Sequence, residues 1–349
     1  MLGMGFVLTQ NEATKLFEKD VRNRDVVFPY LTGKEVNANP DHLTENWVIN
    51  FFDWPLDHDH APASYQGPVA ADYLDCLSVI EQRVKPERTR IKDNGEFALR
   101  KPLPQRWWMY ADKRPALYTK LESRGQAFAI ATQATKYIAF AKVHRRTVFS
   151  HALALIVSDS WIIFATISSS FHDVWARAYG SYNLALLRYS PSDLFETFPF
   201  PLGHSEQLQH TGKQYYTIRE ETMLQRQEGL TSIYNRFHDP DEKSADIQKL
   251  RELHVEMDYA VAAAYAWQDL NLGHGFQETK QGLRYTINEA SRREVLDRLL
   301  ELNHQRYAEE VAAGLHDKKA HKAAGTGRGR KKKDTGAGSP ANIEQQELL

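Results

Sequence analysis

Apolar residues follow two rhythms along the chain. Through about residue 203 they come in short runs broken by Gly, Pro and small polar turns; beyond it they recur at helical spacing in long charged stretches. TQNEATKLFEKD predicts a helix, with Thr9 and Glu12 in capping-box spacing and Ala13, Leu16 and Phe17 on its apolar side. VVFPYLTGKEVN reads as a β-rich run ended by a Gly turn, and WVINFFDWP as an apolar run closed by proline. ADYLDCLSVIEQRV has helical spacing at Tyr73, Leu77 and Ile80. Residues 127–132, 136–143, 147–157 and 160–168 follow as short, mostly apolar runs and predict antiparallel strands. SSSFHDVWARAYG predicts a serine-capped helix with Val174 and Ala178 inward, ending at Gly180, and RYSPSDLFETFPFP a compact segment against the sheet. Three long helices are expected over 204–229, 244–266 and 288–314, the last opened by Thr286 and Glu289. The pattern as a whole gives an α+β fold. A mostly antiparallel sheet domain with flanking helices takes residues 1–203, a helical region 204–316, and a disordered basic tail 317–349.

Composition narrows the class. The 349 residues are 42% hydrophobic and 11% aromatic, enough to bury a substantial core. One cysteine, Cys76, excludes an internal disulfide framework and a thiolate zinc site and fits a reducing cytoplasm. The most apolar stretch, HALALIVSDSWIIFATIS, is interrupted by Ser158-Asp159-Ser160, so no membrane span is expected; nor does MLGMGFVLTQ read as a secretory leader. The net charge of −1 conceals a strong asymmetry: residues 83–146 hold 16 basic and 5 acidic residues, whereas 1–82 hold 5 and 13, and 147–316 hold 15 and 23. Such a concentration is the electrostatic footprint of a phosphate-binding face.

That window contains QRWWMYADKRP, in which Trp107 and Trp108 stand among cations. Lys and Arg neutralise phosphates and release counterions, while flat rings stack on bases. The candidate contacts are Lys85, Arg88, Arg90, Arg106, Trp107, Lys113, Arg114, Lys142, Arg145 and Arg146. Read as a strand, the segment points its two tryptophans to opposite faces, with at least one in the core. Catalytic signals are sparse. DHDH, Asp57 to His60, reads as a solvated loop; Asp269, Glu278 and Lys280 could hold Mg²⁺ in a nuclease, on a short and degenerate pattern. The sequence has no P-loop, no GxSxG and no Asn-Pro-Pro-Tyr or Asp-Pro-Pro-Tyr tetrapeptide.

Several ordered blocks carry a resemblance. GMGFVLTQNEA, VFPYLTGKEVN, WVINFFDWP, VKPERTR and RWWMYADKRP resemble the target-recognition region of MmeI-like single-chain restriction-modification enzymes and their relatives in phage defence. SSSFHDVWARAYG and LRYSPSDLFETFPFP resemble the segment closing that region, and LRELHVEMDYAVAAAYAW and RYTINEASRREVLDRLLELNHQRYAEE the helical region after it, so that nearly all of 3–316 is covered. The resemblance implies sequence-specific recognition of double-stranded DNA in an adenine-methylation system. In that family the S-adenosylmethionine loop and the Asn-Pro-Pro-Tyr motif lie before this region. No cofactor is therefore expected on this chain, and a methyltransferase is the implied partner in trans; the alternatives are the nuclease or a gene fragment without function. The family's base-reading residues vary with the target and transfer to no position here.

Overall fold

The computed structural model describes residues 4–315 except Asp112, Ala134, Ala185 and His204. The basic tail expected over 317–349 lies outside the described residues. The fold is α+β. Backbone proximity divides the chain into two compact units. The first takes in the described residues of Met1–Glu35, His42–Gln126 and Val143–His151, the second those of Val36–Asp41, Ala127–Lys142 and Ala152–Leu349.

In chain order the first elements are β1 (Val7–Leu8), α1 (Gln10–Lys19), β2 (Val27–Leu31), α2 (Gly33–Ala38), β3 (Trp47–Ile49), α3 (Leu74–Arg83), α4 (Lys85–Arg88), α5 (Pro115–Arg124), β4 (Gln126–Ala131), β5 (Ala141–His144) and β6 (Val148–Phe149). The capping box forms: the Thr9 hydroxyl accepts from the Glu12 N–H at 3.3 Å, and the Glu12 carboxylate from the Thr9 N–H at 2.8 Å. Gly33 opens α2 where a turn was expected. The first unit's sheet runs β1-β3-β2-β6. Its pairs are antiparallel except β2 and β6, which run parallel with Tyr30 opposite Val148. One cluster of buried residues, including Phe6, Val26, Phe51, Ile80, Trp107 and Trp108, forms this unit's core.

QRWWMY is not a strand. Residues 101–108 pass through successive turns, set by Pro102 and Pro104 and closed by Arg106 N–H to the Pro102 carbonyl at 3.0 Å. Freed from strand alternation, both tryptophans turn inward, at 6% and 8% exposure, and meet edge to face with centroids 5.8 Å apart.

The remaining elements are β7 (Leu153–Ile156), α6 (Trp161–Ser168), α7 (Ser170–Tyr179), β8 (Ser181–Asn183), β9 (Leu186–Arg188), α8 (Pro191–Leu194), α9 (Glu206–Arg226), α10 (Leu230–Phe237), α11 (Ala245–Ala264), β10 (Gly275–Thr279), β11 (Gly282–Thr286) and α12 (Glu289–Ala312). β7 pairs antiparallel with β4, Phe128 opposite Ile156. SWIIFATIS, expected as a strand, is helix α6: Ser160 caps it by accepting from the Ile163 N–H at 3.4 Å, and Phe164 to Ser168 are all buried. α7 buries Phe171, His172, Trp175 and Ala176; Val174 is half-buried and Ala178 exposed, a different face from the one expected. Asn288, not Thr286, caps α12, accepting from the Ser291 N–H at 2.9 Å, because Thr286 is still paired in β11. α9 passes α6 at backbone distance, since a Cβ on Gly212 would stand 2.5 Å from the Trp161 carbonyl oxygen. The expected limits at 203 and 316 mark a change in sequence character; in space α9 and α11 share a unit with β4, β7 and α6. Among the described residues no helix is long and apolar enough to cross a membrane.

Candidate nucleic-acid interface

The basic window resolves into an inner and an outer set. Arg88, at the end of α4, is inner: it is 5% exposed, donates to the carbonyls of Trp107 (3.3 Å) and Met109, and its guanidinium lies 5.0 Å from the Phe6 ring centroid. Trp107 belongs to the same core, so neither is a surface group. Further anchors hold the segment, because Trp108 Nε1 donates to the Trp54 carbonyl at 3.0 Å and the Tyr110 hydroxyl to the Ile49 carbonyl at 3.1 Å. The rings are thus structural, and the polar atoms of Trp108 and Tyr110 are satisfied by backbone.

The outer set is made of Arg90, Arg106, Arg114, Arg145 and Arg146, all exposed. Arg145 and Arg146 form the two-residue turn between β5 and β6, where the Arg146 N–H donates to His144 Nδ1 at 3.3 Å. Arg114 stands at the N-cap of α5 with φ of 44°. Lys85 and Lys113 are half-buried and matched by acids: Lys85 pairs with Glu81 at 2.9 Å and lies 4.6 Å from the Trp107 ring centroid, and Lys113 pairs with Asp53. Lys142 belongs to the second unit, its ammonium 5.5 Å from the Tyr216 ring centroid and 5.8 Å from that of Trp161. Lys85 and Lys113 thus spend part of their charge on neighbouring acids.

The nuclease residues are not brought to one place. Asp269 is gripped by Arg298 at 2.9 and 2.5 Å, which holds its carboxyl below the usual range. Glu278 and Lys280, on the β10–β11 hairpin, line a cavity of about 890 Å³ in the second unit that Asp269 does not line. The Asp57–His60 loop is exposed, with His60 Nδ1 2.6 Å from Asp57. Cys76 is buried against Asn23, and burial pushes its thiol up to about 12, so it is no nucleophile at neutral pH.

One cluster in the second unit escaped the sequence reading. His254 and Asp258 stand one turn apart on α11, and His274 comes from the segment before β10. Asp258 is fully buried; its Oδ1 accepts from the Ser170 N–H at 2.8 Å, and its Oδ2 lies 2.8 Å from His274 Nε2 and 3.5 Å from His254 Nδ1. The His-x-x-x-Asp spacing was legible, but nothing local announces His274, 16 residues past Asp258. The donor set of two imidazoles and a carboxylate is of the kind that holds a divalent transition metal.

Residues 90–202 match the family described as the target recognition domain of MmeI. No curated protein matches the chain. Among solved structures, that of the type IIL restriction-modification enzyme MmeI in complex with DNA is similar in fold, with a TM-score of 0.53 at 18% identity over 86% of this chain and 34% of that one. The chain therefore spans about a third of the length of that enzyme. The exposed arginines Arg90, Arg106, Arg114, Arg145 and Arg146 all fall inside the matched range, and it is there that this chain is similar to the MmeI target recognition domain.

Proposed function

We propose that the chain is a DNA-recognition module of a restriction-modification enzyme of the MmeI kind. The observation that carries this is a coincidence: the residues matching a target recognition domain include exposed arginines, Arg90, Arg106, Arg114, Arg145 and Arg146 among them, of the only strongly basic window in the sequence outside the tail. On this reading Arg90, Arg106, Arg114, Arg145 and Arg146, with Lys85 and Lys113 of the same unit, contact phosphates of duplex DNA and set the register. Arg88 and Trp107 act from beneath, holding the segment that carries Arg106. Adenine methylation within a phage-defence system is the finer part of the proposal. The sequence has no target-base tetrapeptide, and on this reading that motif and the S-adenosylmethionine site would come from a methyltransferase in trans.

The test is duplex binding across a salt series. Arg145→Ala with Arg146→Ala should weaken binding to any sequence and flatten the salt slope by roughly one unit per lost phosphate contact. Arg292→Ala with Arg293→Ala, on α12, should leave the slope unchanged. Because GRGRKKK in the tail binds any polyanion, the series is run with Arg328, Arg330, Lys331, Lys332 and Lys333 replaced by Ser. Loss of all binding in that background would remove the support for a recognition surface in 90–202.

A further inference from the structure

We propose that His254, Asp258 and His274 form a binding site for one divalent transition-metal ion of the zinc class. The argument begins with an orphan. His254 is 8% exposed and its Nδ1 has no hydrogen-bond partner, yet it lies 3.5 Å from Asp258 Oδ2. In the tautomer with Nδ1 unprotonated, nitrogen and carboxylate oxygen face each other with lone pairs, and a cation between them stabilises both. Across the same oxygen stands His274 Nε2, at 2.8 Å. All three donor atoms lie within 4.8 Å of one another. Around a tetrahedral ion with bonds of about 2.0–2.1 Å, ligand atoms stand roughly 3.3 Å apart. The two separations of Asp258 Oδ2 from the histidines, 2.8 and 3.5 Å, bracket that value.

The supporting shell is built. Asp258 is oriented by the Ser170 N–H at the start of α7, which fixes Oδ1 and leaves Oδ2 for the cluster. His274 is held by its neighbour: Gly273 has φ of +55°, and a Cβ there would lie 2.2 Å from the Asn288 side-chain nitrogen, so the chain can take this path only with glycine. The Asn288 N–H in turn donates to the Leu272 carbonyl at 3.1 Å. Access exists, because His254 and Ser168 to Ser170 line the 890 Å³ cavity. Three protein donors leave a fourth position for water or a ligand entering from that side. Two neutral imidazoles with one carboxylate select zinc or its first-row neighbours over Mg²⁺ and Ca²⁺, which take oxygen. The ion would tie the segment before β10 to α11 and to the start of α7.

The experiment is elemental analysis of the full chain, purified without a polyhistidine tag from zinc-supplemented medium and dialysed. About one transition-metal ion per chain is expected. It should be lost in His274→Ala and Asp258→Asn, and kept in Asp57→Asn with His60→Ala, which removes the exposed His–Asp loop. After chelation, added zinc should raise the Tm of the wild-type chain in proportion to the logarithm of its concentration and leave His274→Ala unmoved. Should the variants not fold, cobalt added to the chelated wild-type chain decides instead, through the visible absorption of a tetrahedral nitrogen and oxygen site. Substoichiometric metal with no Tm response and no cobalt band overturns the proposal, as does one ion retained in both ligand variants. In either case the three residues are a hydrogen-bonded core network and nothing more.

Discussion

Apart from cysteine and tyrosine, the ionisable side chains described as buried are Glu35 and Arg88 in the first unit and His172, Arg219, Arg251, His254, Asp258 and Arg284 in the second. The same residue types occur in both sequences, and arginine stands near aromatic rings in both. In the first, Arg88 is enclosed while Arg90, Arg106, Arg145 and Arg146 remain outside. In the second, Arg219 is 1% exposed, donating to the Phe140 carbonyl at 2.5 Å and the Tyr234 hydroxyl at 3.2 Å, with the rings of Phe164 and Tyr216 within 5.4 Å. Arg251 donates to four carbonyls, those of Arg236, Phe237, Asp239 and Glu242. Buried arginine is thus an internal clamp on backbone oxygens in both units, at Arg88 in the first and at Arg219 and Arg251 in the second, while the first unit also keeps a set of arginines exposed.

The contrast can be broken most directly at the clamps. Arg219→Ala leaves a void and an unpaired Phe140 carbonyl, and should lose about 3 kcal/mol of unfolding free energy. Arg88→Ala, with fewer rings around it, should lose about 2 kcal/mol. Denaturant midpoints for the two variants measure this; a larger loss for Arg88→Ala would reverse the ranking of the units.

Acid should then separate them. Burial drives the His172 imidazole down to about 3 from its ordinary 6.5, with Nε2 3.0 Å from the Tyr189 hydroxyl. Below pH 6.5 the unfolded chain takes up a proton that the folded chain refuses, so stability present above 6.5 is lost as pH falls towards 3. The slope from this group is at most about 1.4 kcal/mol per pH unit. His172→Gln should flatten the acid limb of stability by that share, read from urea midpoints between pH 6.5 and 4. An unchanged slope would mean that the imidazole is protonated in place.

The smallest effect belongs to the surface of the first unit. The Arg83 guanidinium, 2.5 Å away, and the Thr9 N–H hold Glu12 down to about 2 from 4.5. A depressed carboxyl stabilises the fold above 4.5 and loses that contribution as pH falls to about 2. Both partners are more than a third exposed, so water screens the pair, and Glu12→Gln should lose only about 0.5 kcal/mol at neutral pH, the difference closing as the solution is acidified. A loss as large as that of Arg88→Ala would show that the first unit also depends on its charges.

Legibility in the sequence followed the same division. α1 was readable from its capping box and apolar side, and α9 and α11 as long, charged, helix-prone stretches. α6 was not, because a run apolar on every side has no period to distinguish strand from helix; only Ser160 as a cap could have decided it. The β10–β11 hairpin was missed since GFQET and GLRYT are half-exposed and mixed in polarity, and its signal is Gly282 in the turn, with φ of +88°. At the interface, the cationic window was visible as charge. Nothing local distinguishes Arg88 from Arg90, two residues on, because which one turns inward depends on carbonyls 19 and 21 residues away. Clusters assembled from distant segments, such as His254 with His274, lie beyond any window.

The parallel pairing of β2 with β6 also sets a timetable. Val27–Leu31 leaves the ribosome well before its edge partner, Val148–Phe149, and the first unit claims chain out to His151. A nascent chain that has emerged only to residue 126 has its capped α1 and both tryptophans, yet carries an open strand edge. That edge waits for more than a hundred residues of synthesis, during which much of the sheet of the second unit has also appeared. The turn bearing Arg145 and Arg146 lies just before the strand that ends the wait, so these two proposed DNA contacts are among the last parts of the first unit to be fixed in place.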